Sequence, residues 1–89
     1  MDRDQIPPLV LETLAEVAPE ADLEQLNPDV SFHDQLDIDS VDFLNFVLAL
    51  ERKLGISIPE GDYPRLGSLV GATECVSRLL DKNAGATTS

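Results

Sequence analysis

The stretch that decides the fold reads Leu36-Asp37-Ile38-Asp39-Ser40-Val41-Asp42-Phe43-Leu44. Asp39 is a preferred helix N-cap and Asp42 follows three residues later, so the pattern predicts a helix that begins at Ser40. Apolar residues continue at helical spacing to Leu54, and Gly55 suits the left-handed conformation that ends a helix. A serine hydroxyl therefore stands at the first residue of this predicted helix.

The predicted helix carries apolar residues in two directions. At about 100° per residue, one group points to a single side and is predicted to be core. This core group consists of Phe43, Phe46, Val47, Leu50 and Leu54. A second group, which we call the apolar strip, lies on a different face and consists of Val41, Leu44 and Leu48. Two interpretations remain open, because the preceding loop either covers the strip or leaves it exposed beside Ser40 for partners.

A helix and a long loop are predicted before this point. The first helix runs from about Ile6 or Pro7 to Ala18, because prolines suit a first turn and Pro19 cannot continue a helix. The segment 19–39 is predicted to be a long ordered loop, rich in Pro, Asp and Asn, and loops of this length are commonly functional. Its predicted apolar anchors are Leu23, Leu26, Val30, Phe32 and Leu36.

The C-terminal half completes an all-α prediction. Ile56-Ser57-Ile58-Pro59 is predicted to be a short extended link, followed by a single helical turn around Asp62-Tyr63 between a glycine and a proline. A last helix is predicted from about Ser68 to Asn83, with these residues inward: Leu69, Ala72, Val76, Leu79 and Leu80. The expected fold is a small four-helix bundle, three main helices plus one short turn, over residues 1–83. A disordered tail is expected over residues 84–89.

Size and charge narrow the classes of function. The chain has 89 residues and a net charge of −11, and residues 1–42 hold 12 acidic residues against one basic residue. An acidic chain does not suit nucleic acid as a partner, because phosphate binding needs positive charge. The apolar runs are too short for membrane insertion, and one cysteine allows no internal disulfide. We therefore expect a cytoplasmic monomer that carries or binds something, since so small a core leaves little room for a catalytic cleft.

The residues around Ser40 do not form a known catalytic or metal-binding pattern. A hydrolase would need a base and an orienting acid, but the one histidine, His33, is predicted to be a surface residue of the loop. A calcium loop would need an oxygen ligand, a glycine and a glutamate at the positions of Val41, Asp42 and Leu48. No catalytic residue and no metal site are predicted. What remains is a serine at the positive end of a helix, which tolerates an attached phosphodiester.

Four segments occur in an order typical of one family: Val30-Ser31-Phe32, Leu36 through Asp42, Leu48-Ala49-Leu50-Glu51, and Gly55-Ile56-Ser57-Ile58-Pro59. With them, about residues 6–80 resemble an acyl carrier protein. Members are four-helix bundles whose serine carries 4′-phosphopantetheine, a covalent arm ending in a thiol that holds an acyl group as a thioester. The resemblance implies that Ser40 is the attachment site, that Asp39 is its adjacent acid, and that the chain is not an enzyme.

The resemblance also implies partners and a chain-binding pocket. The implied partners are a phosphopantetheinyl transferase and the enzymes that load and process the acyl or aminoacyl group. The residues expected to bind partners are Asp37, Val41, Asp42, Leu44, Leu48 and Glu51. The residues expected to line an acyl-chain pocket are Phe46, Val47, Leu50, Ile58, Leu66, Leu69 and Ala72.

Some positions depart from the family pattern. Asp37 stands where a glycine is common, and Asn45, Arg52 and Lys53 stand on the second main helix, where carriers of fatty acid synthesis tend to have acids. We therefore expect a carrier of a specialised lipid or secondary-metabolite pathway. An aminoacyl or peptidyl carrier and an unmodified helical adaptor remain the alternatives.

Overall fold

The computed structural model describes the backbone of residues 2–88 and the side chains of residues 2–82. Throughout the described range the secondary structure is helical, as predicted. Four α-helices form: α1 (Ile6–Val17), α2 (Phe32–Gln35), α3 (Ser40–Leu54) and α4 (Leu69–Thr88). Three 3₁₀ helices accompany them, over Arg3–Gln5, Leu23–Gln25 and Glu60–Gly67.

The helix α3 begins and ends where the sequence predicts. The Asp39 Oδ1 atom accepts a hydrogen bond from the backbone N–H of Asp42 at 2.9 Å, and Asp42 Oδ2 accepts one from the N–H of Asp39 at 3.3 Å. This reciprocal pair is a capping box, which satisfies two donors at the start of the helix. At the other end Gly55 has φ 66°, the left-handed conformation that favours glycine. The predicted bounds of this helix are confirmed.

The core forms where α1, α3 and α4 pack together. Its fully buried side chains include Val10, Leu14, Phe46, Val47, Leu50, Leu66 and Val76. Phe32 enters it from α2, and its ring meets Phe46 edge to face with 5.6 Å between centroids. The core group predicted on α3 is confirmed, since Phe43 and Leu54 also pack against the buried cluster. Ile38 is buried there too, although the sequence did not single it out as an anchor.

The loop over residues 19–39 is ordered by local hydrogen bonds and holds two short helices that were not predicted. Ser31 caps α2, since its Oγ accepts from the N–H of Asp34 at 3.2 Å. The Gln35 amide then clamps the loop: its Nε2 donates to the carbonyls of Asn27 and Val30, and its Oε1 accepts from the Asn27 N–H, each at 2.8 Å. Four of the five predicted anchors, Leu23, Leu26, Phe32 and Leu36, lie in the core or pack against it.

Two predictions about the C-terminal half are wrong. The expected single turn around Asp62-Tyr63 is instead a 3₁₀ helix over Glu60–Gly67, because the fixed φ of Pro64 suits this conformation and costs it only one donor. The last helix does not end at Asn83, because its backbone continues to Thr88. Alanines favour helix there, and one interior glycine costs only about 1 kcal/mol. Ser89 lies outside the described residues.

Close packing of the 3₁₀ helix against α4 depends on Gly71. A Cβ atom at this position would overlap the backbone carbonyl of Arg65, and it would also lie 3.1 Å from the Oγ of Ser68. Backbone cannot move aside as a side chain can, so only glycine permits this approach. By contrast, a Cβ at Gly61 would meet nothing within 4 Å.

We predict that Gly71→Ala destabilises the fold by about 1–2 kcal/mol, although alanine favours a helix over glycine by about 1 kcal/mol. The control Gly61→Ala should be neutral or stabilising by up to about 1 kcal/mol, because its site is open. Urea unfolding followed by circular dichroism measures both. Equal stability of the two variants would show that α4 does not need this glycine.

Candidate functional site

Ser40 is exposed at the first residue of α3, a helix of 15 residues. Within the described side chains its hydroxyl takes part in no hydrogen bond, whereas the hydroxyl of Ser31 is used as a helix cap. Asp37 and Asp39 are exposed just before it. The site therefore offers a free hydroxyl at the positive end of a helix, with two carboxylates beside it.

The segment before Ser40 is held by a buried side chain, Ile38, and by contacts of His33. The Ile38 side chain is buried in the core with 9% of its surface exposed. The Nδ1 atom of His33 lies 3.3 Å from the carbonyl oxygen of Ile38, and the His33 ring lies 5.6 Å from the ring of Phe43. His33 is exposed, as predicted, but these contacts were not predicted. No periodic pattern could have indicated them, because they join side chain to backbone within an irregular segment.

The apolar strip is not covered by the loop. Val41 is 65% exposed, Leu44 45% and Leu48 47%, so the interpretation that the loop folds over them is wrong. Few other large apolar side chains are this exposed in the described part of the chain, Val70 on α4 being one at 40%. The structure thus places three apolar side chains in a row that begins next to Ser40.

The two acids predicted on α3 as partner-binding residues have structural contacts of their own. Asp42 is half-buried and closes the capping box with Asp39. Glu51 is also half-buried, and its Oε2 accepts a hydrogen bond from the N–H of Ile58 at 2.7 Å. Glu51 therefore ties the end of α3 to the extended link. Asp37 has no such contact among the described residues and is exposed.

The residues predicted to line an acyl-chain pocket lie together. Six of them are buried in one apolar cluster: Phe46, Val47, Leu50, Ile58, Leu66 and Ala72. Leu69 is partly buried and packs against that cluster. An unpredicted surface cleft lies elsewhere, between the end of α1 and the loop, with Leu36 and Asp37 among its walls.

Other reactive groups do not form a competing site. Cys75 is buried, and this burial, with a smaller effect from the charge of Asp62, raises the pKa of its thiol. The thiol therefore stays protonated and is a poor nucleophile. In residues 2–82, no three metal-ligating side chains gather into a cluster. None of the described helices is both long and apolar enough to span a bilayer.

Comparison with known proteins identifies the family. Residues 8–82 match the family described as "Phosphopantetheine attachment site". An acyl carrier protein of Myxococcus xanthus is 33% identical over 70 residues, which cover 75% of this chain and 89% of that protein. The chain belongs to the acyl carrier protein family. Members of this family hold 4′-phosphopantetheine covalently and have no catalytic activity of their own. Their partners are phosphopantetheinyl transferases and acyl-processing enzymes.

One further relative and one solved structure extend this comparison. Polyketide-8 synthase acyl carrier protein 2 of Streptomyces avermitilis is 28% identical over 80 residues, which cover 90% of this chain and 86% of that protein. The structure of the acyl carrier protein from Enterococcus faecalis matches with a TM-score of 0.70 at 24% identity, over 86% of this chain and 98% of that one. The fold predicted from the sequence, a helical bundle of the carrier type, is confirmed by this match.

We predict that Asp39→Ala lowers the stability by about 1 kcal/mol, because it removes the side-chain cap of α3. Asp39→Asn should cost only a few tenths, since asparagine caps as well as aspartate does. Asp37→Ala is the matched control, an exposed acid before the same helix without a capping contact. Urea unfolding compares the three. If Asn were as harmful as Ala, the charge of Asp39 rather than its cap would be what stabilises the helix.

Proposed function

We propose that 4′-phosphopantetheine is attached to Ser40. The observation that supports this assignment is the exposed hydroxyl at the start of α3, free of intramolecular hydrogen bonds in the described structure. Ser57 is also exposed, but it lies in the extended link without a helix behind it. The positive end of α3 favours the negative charge of a phosphodiester, which the extended link does not do.

The residues around Ser40 fit such a group. When attached, it supplies a flexible arm with a terminal thiol that carries an acyl group as a thioester. Asp39 keeps Ser40 at the first position of α3 through Oδ1, and its second oxygen is free to act as the adjacent acid that holds a divalent metal during attachment. Ile38 anchors the chain below, so that the hydroxyl stays at the surface where a transferase can reach it.

The experiment that tests this assignment is intact-mass spectrometry after incubation with coenzyme A and a broad-specificity phosphopantetheinyl transferase. Wild type and Ser57→Ala should each gain one phosphopantetheine, and Ser40→Ala should gain none. The circular dichroism spectrum of Ser40→Ala should match that of wild type, since the substitution lies at an exposed position. A mass gain on Ser40→Ala would place the attachment site elsewhere.

We also propose that partners dock on the exposed face of α3. The apolar strip supplies the contact area beside Ser40, and Asp37 supplies an available negative charge at its start. Such strips on soluble proteins commonly mark interaction sites. Asp42 and Glu51 contribute less in this proposal than the sequence suggested, because their carboxylates already bind backbone N–H groups.

We predict that Leu44→Ser raises the KM of the transferase about 3–10-fold with little change in kcat, because the strip binds before the chemistry begins. Val70→Ser is the matched control, an apolar residue of similar exposure on α4, and should leave KM unchanged. Both variants should keep their stability within about 0.5 kcal/mol, since both sites are exposed. Equal KM values would show that the transferase does not use this face.

A specialised pathway is the remaining part of the proposal. The similarity to a polyketide synthase carrier and the basic residues Arg52 and Lys53 on α3 support it.

We propose further that an acyl chain enters the apolar cluster among the seven predicted pocket residues, and that the carrier is a monomer in the cytoplasm. Loading by an amino-acid ligase in place of an acyl-loading enzyme would favour the alternative of an aminoacyl or peptidyl carrier.

A further inference from the structure

Opposite charges lie at the two ends of α3. Asp37 and Asp39 lie just before Ser40, and Arg52 lies in the last turn of the helix. At about 100° per residue, Arg52 points in nearly the same direction as Val41 and therefore continues the apolar strip. It lies about 18 Å from Ser40 along the helix axis. The strip thus begins next to acids and ends at a cation.

Arg52 is the charged residue at the C-terminal end of α3 whose side chain is free to contact a partner, within the part of the chain that the structure describes. Its neighbour Lys53 forms an ion pair with Glu16 of α1, and Glu51 is engaged by the backbone of Ile58. Arg52 is exposed and has no ion-pair partner among residues 2–82. A cation in the last turn also offsets the helix dipole, by about 0.3–1 kcal/mol, but Lys53 supplies that as well. The helix dipole therefore does not explain why Arg52, in line with the apolar strip, is a cation.

We propose that the partner enzyme which docks on α3 carries an acidic side chain opposite Arg52 and a basic side chain opposite Asp37. This inference rests on the docking face of the proposed function. Opposite charges about 18 Å apart select one direction for α3 in the partner's groove. A guanidinium group binds a carboxylate through two parallel hydrogen bonds, so the contact adds geometric specificity. An enzyme whose groove is basic throughout is disfavoured by repulsion at Arg52.

The test uses a malonyl-CoA transferase chosen because its docking groove is lined with Lys and Arg throughout. Its kcat/KM is measured with the phosphopantetheine-loaded forms of wild type, Arg52→Glu and Lys53→Glu at low salt. Arg52→Glu should raise kcat/KM about 3–10-fold, and Arg52→Gln should give a smaller rise. Lys53→Glu changes the net charge equally but points away from the strip, so its effect should stay within about twofold. All differences should shrink at about 0.5 M salt.

A charge swap then tests the acidic contact directly. When the groove residue of the transferase opposite Arg52 is replaced by Glu, the rate with wild type should rise and the rate with Arg52→Glu should fall. The inference is overturned if Arg52→Glu has no larger effect than Lys53→Glu, or if the swap gives wild type no advantage. Intact mass confirms loading before each assay, so a failure at Ser40 is seen separately. If Leu44→Ser also leaves kcat/KM unchanged in this assay, the proposal that partners dock on this face of α3 is wrong.

Discussion

The reciprocal hydrogen bonds between Asp39 and Asp42 are the constraint on which the rest of this structure depends. They end the loop and begin α3 at one defined residue, which puts the Ser40 hydroxyl at the positive end of the helix. From that start, the helical repeat turns Phe46, Val47 and Leu50 into the core and the apolar strip toward solvent. The same two carboxylates therefore act in the fold and lie in the site.

The long loop is what makes this start possible. A helix cap needs an extended incoming chain, and the loop supplies it by burying Ile38 while keeping its neighbours exposed. The Gln35 clamp and the capped turn of α2 give the loop internal order, so that it does not depend on the core alone. His33 then contacts both the carbonyl of Ile38 and the ring of Phe43. Ser40, the proposed attachment residue, is thus exposed but follows a segment that is held by buried and hydrogen-bonded neighbours.

Features determined by local interactions could be predicted from the sequence, and those that depend on distant contacts could not. The bounds of α3 follow from the capping pair Asp39 and Asp42, three positions apart, and from Gly55, so both were visible in the sequence. The Gln35 clamp joins a side chain to backbone eight residues away, which no periodicity indicates. From the sequence, Gly71 indicates only a position that weakens a helix. The structure shows that the carbonyl of Arg65 lies where a Cβ atom would be. From the sequence, Pro64 indicates the end of a short turn. The longer 3₁₀ helix around it packs against α4, and this distant contact is not visible in the sequence.

Separation of the two faces of α3 explains how a small carrier can change partners without losing its fold. The core side of the helix is buried among apolar residues from every long element, and substitutions there cost stability. The opposite side is exposed, so its residues are free to vary at little cost to folding. A TM-score of 0.70 at 24% identity shows that this fold is kept in another protein while most of the sequence differs. Arg52 lies on the side that is free to vary, where a single charge alters which grooves accept the helix and leaves the core untouched.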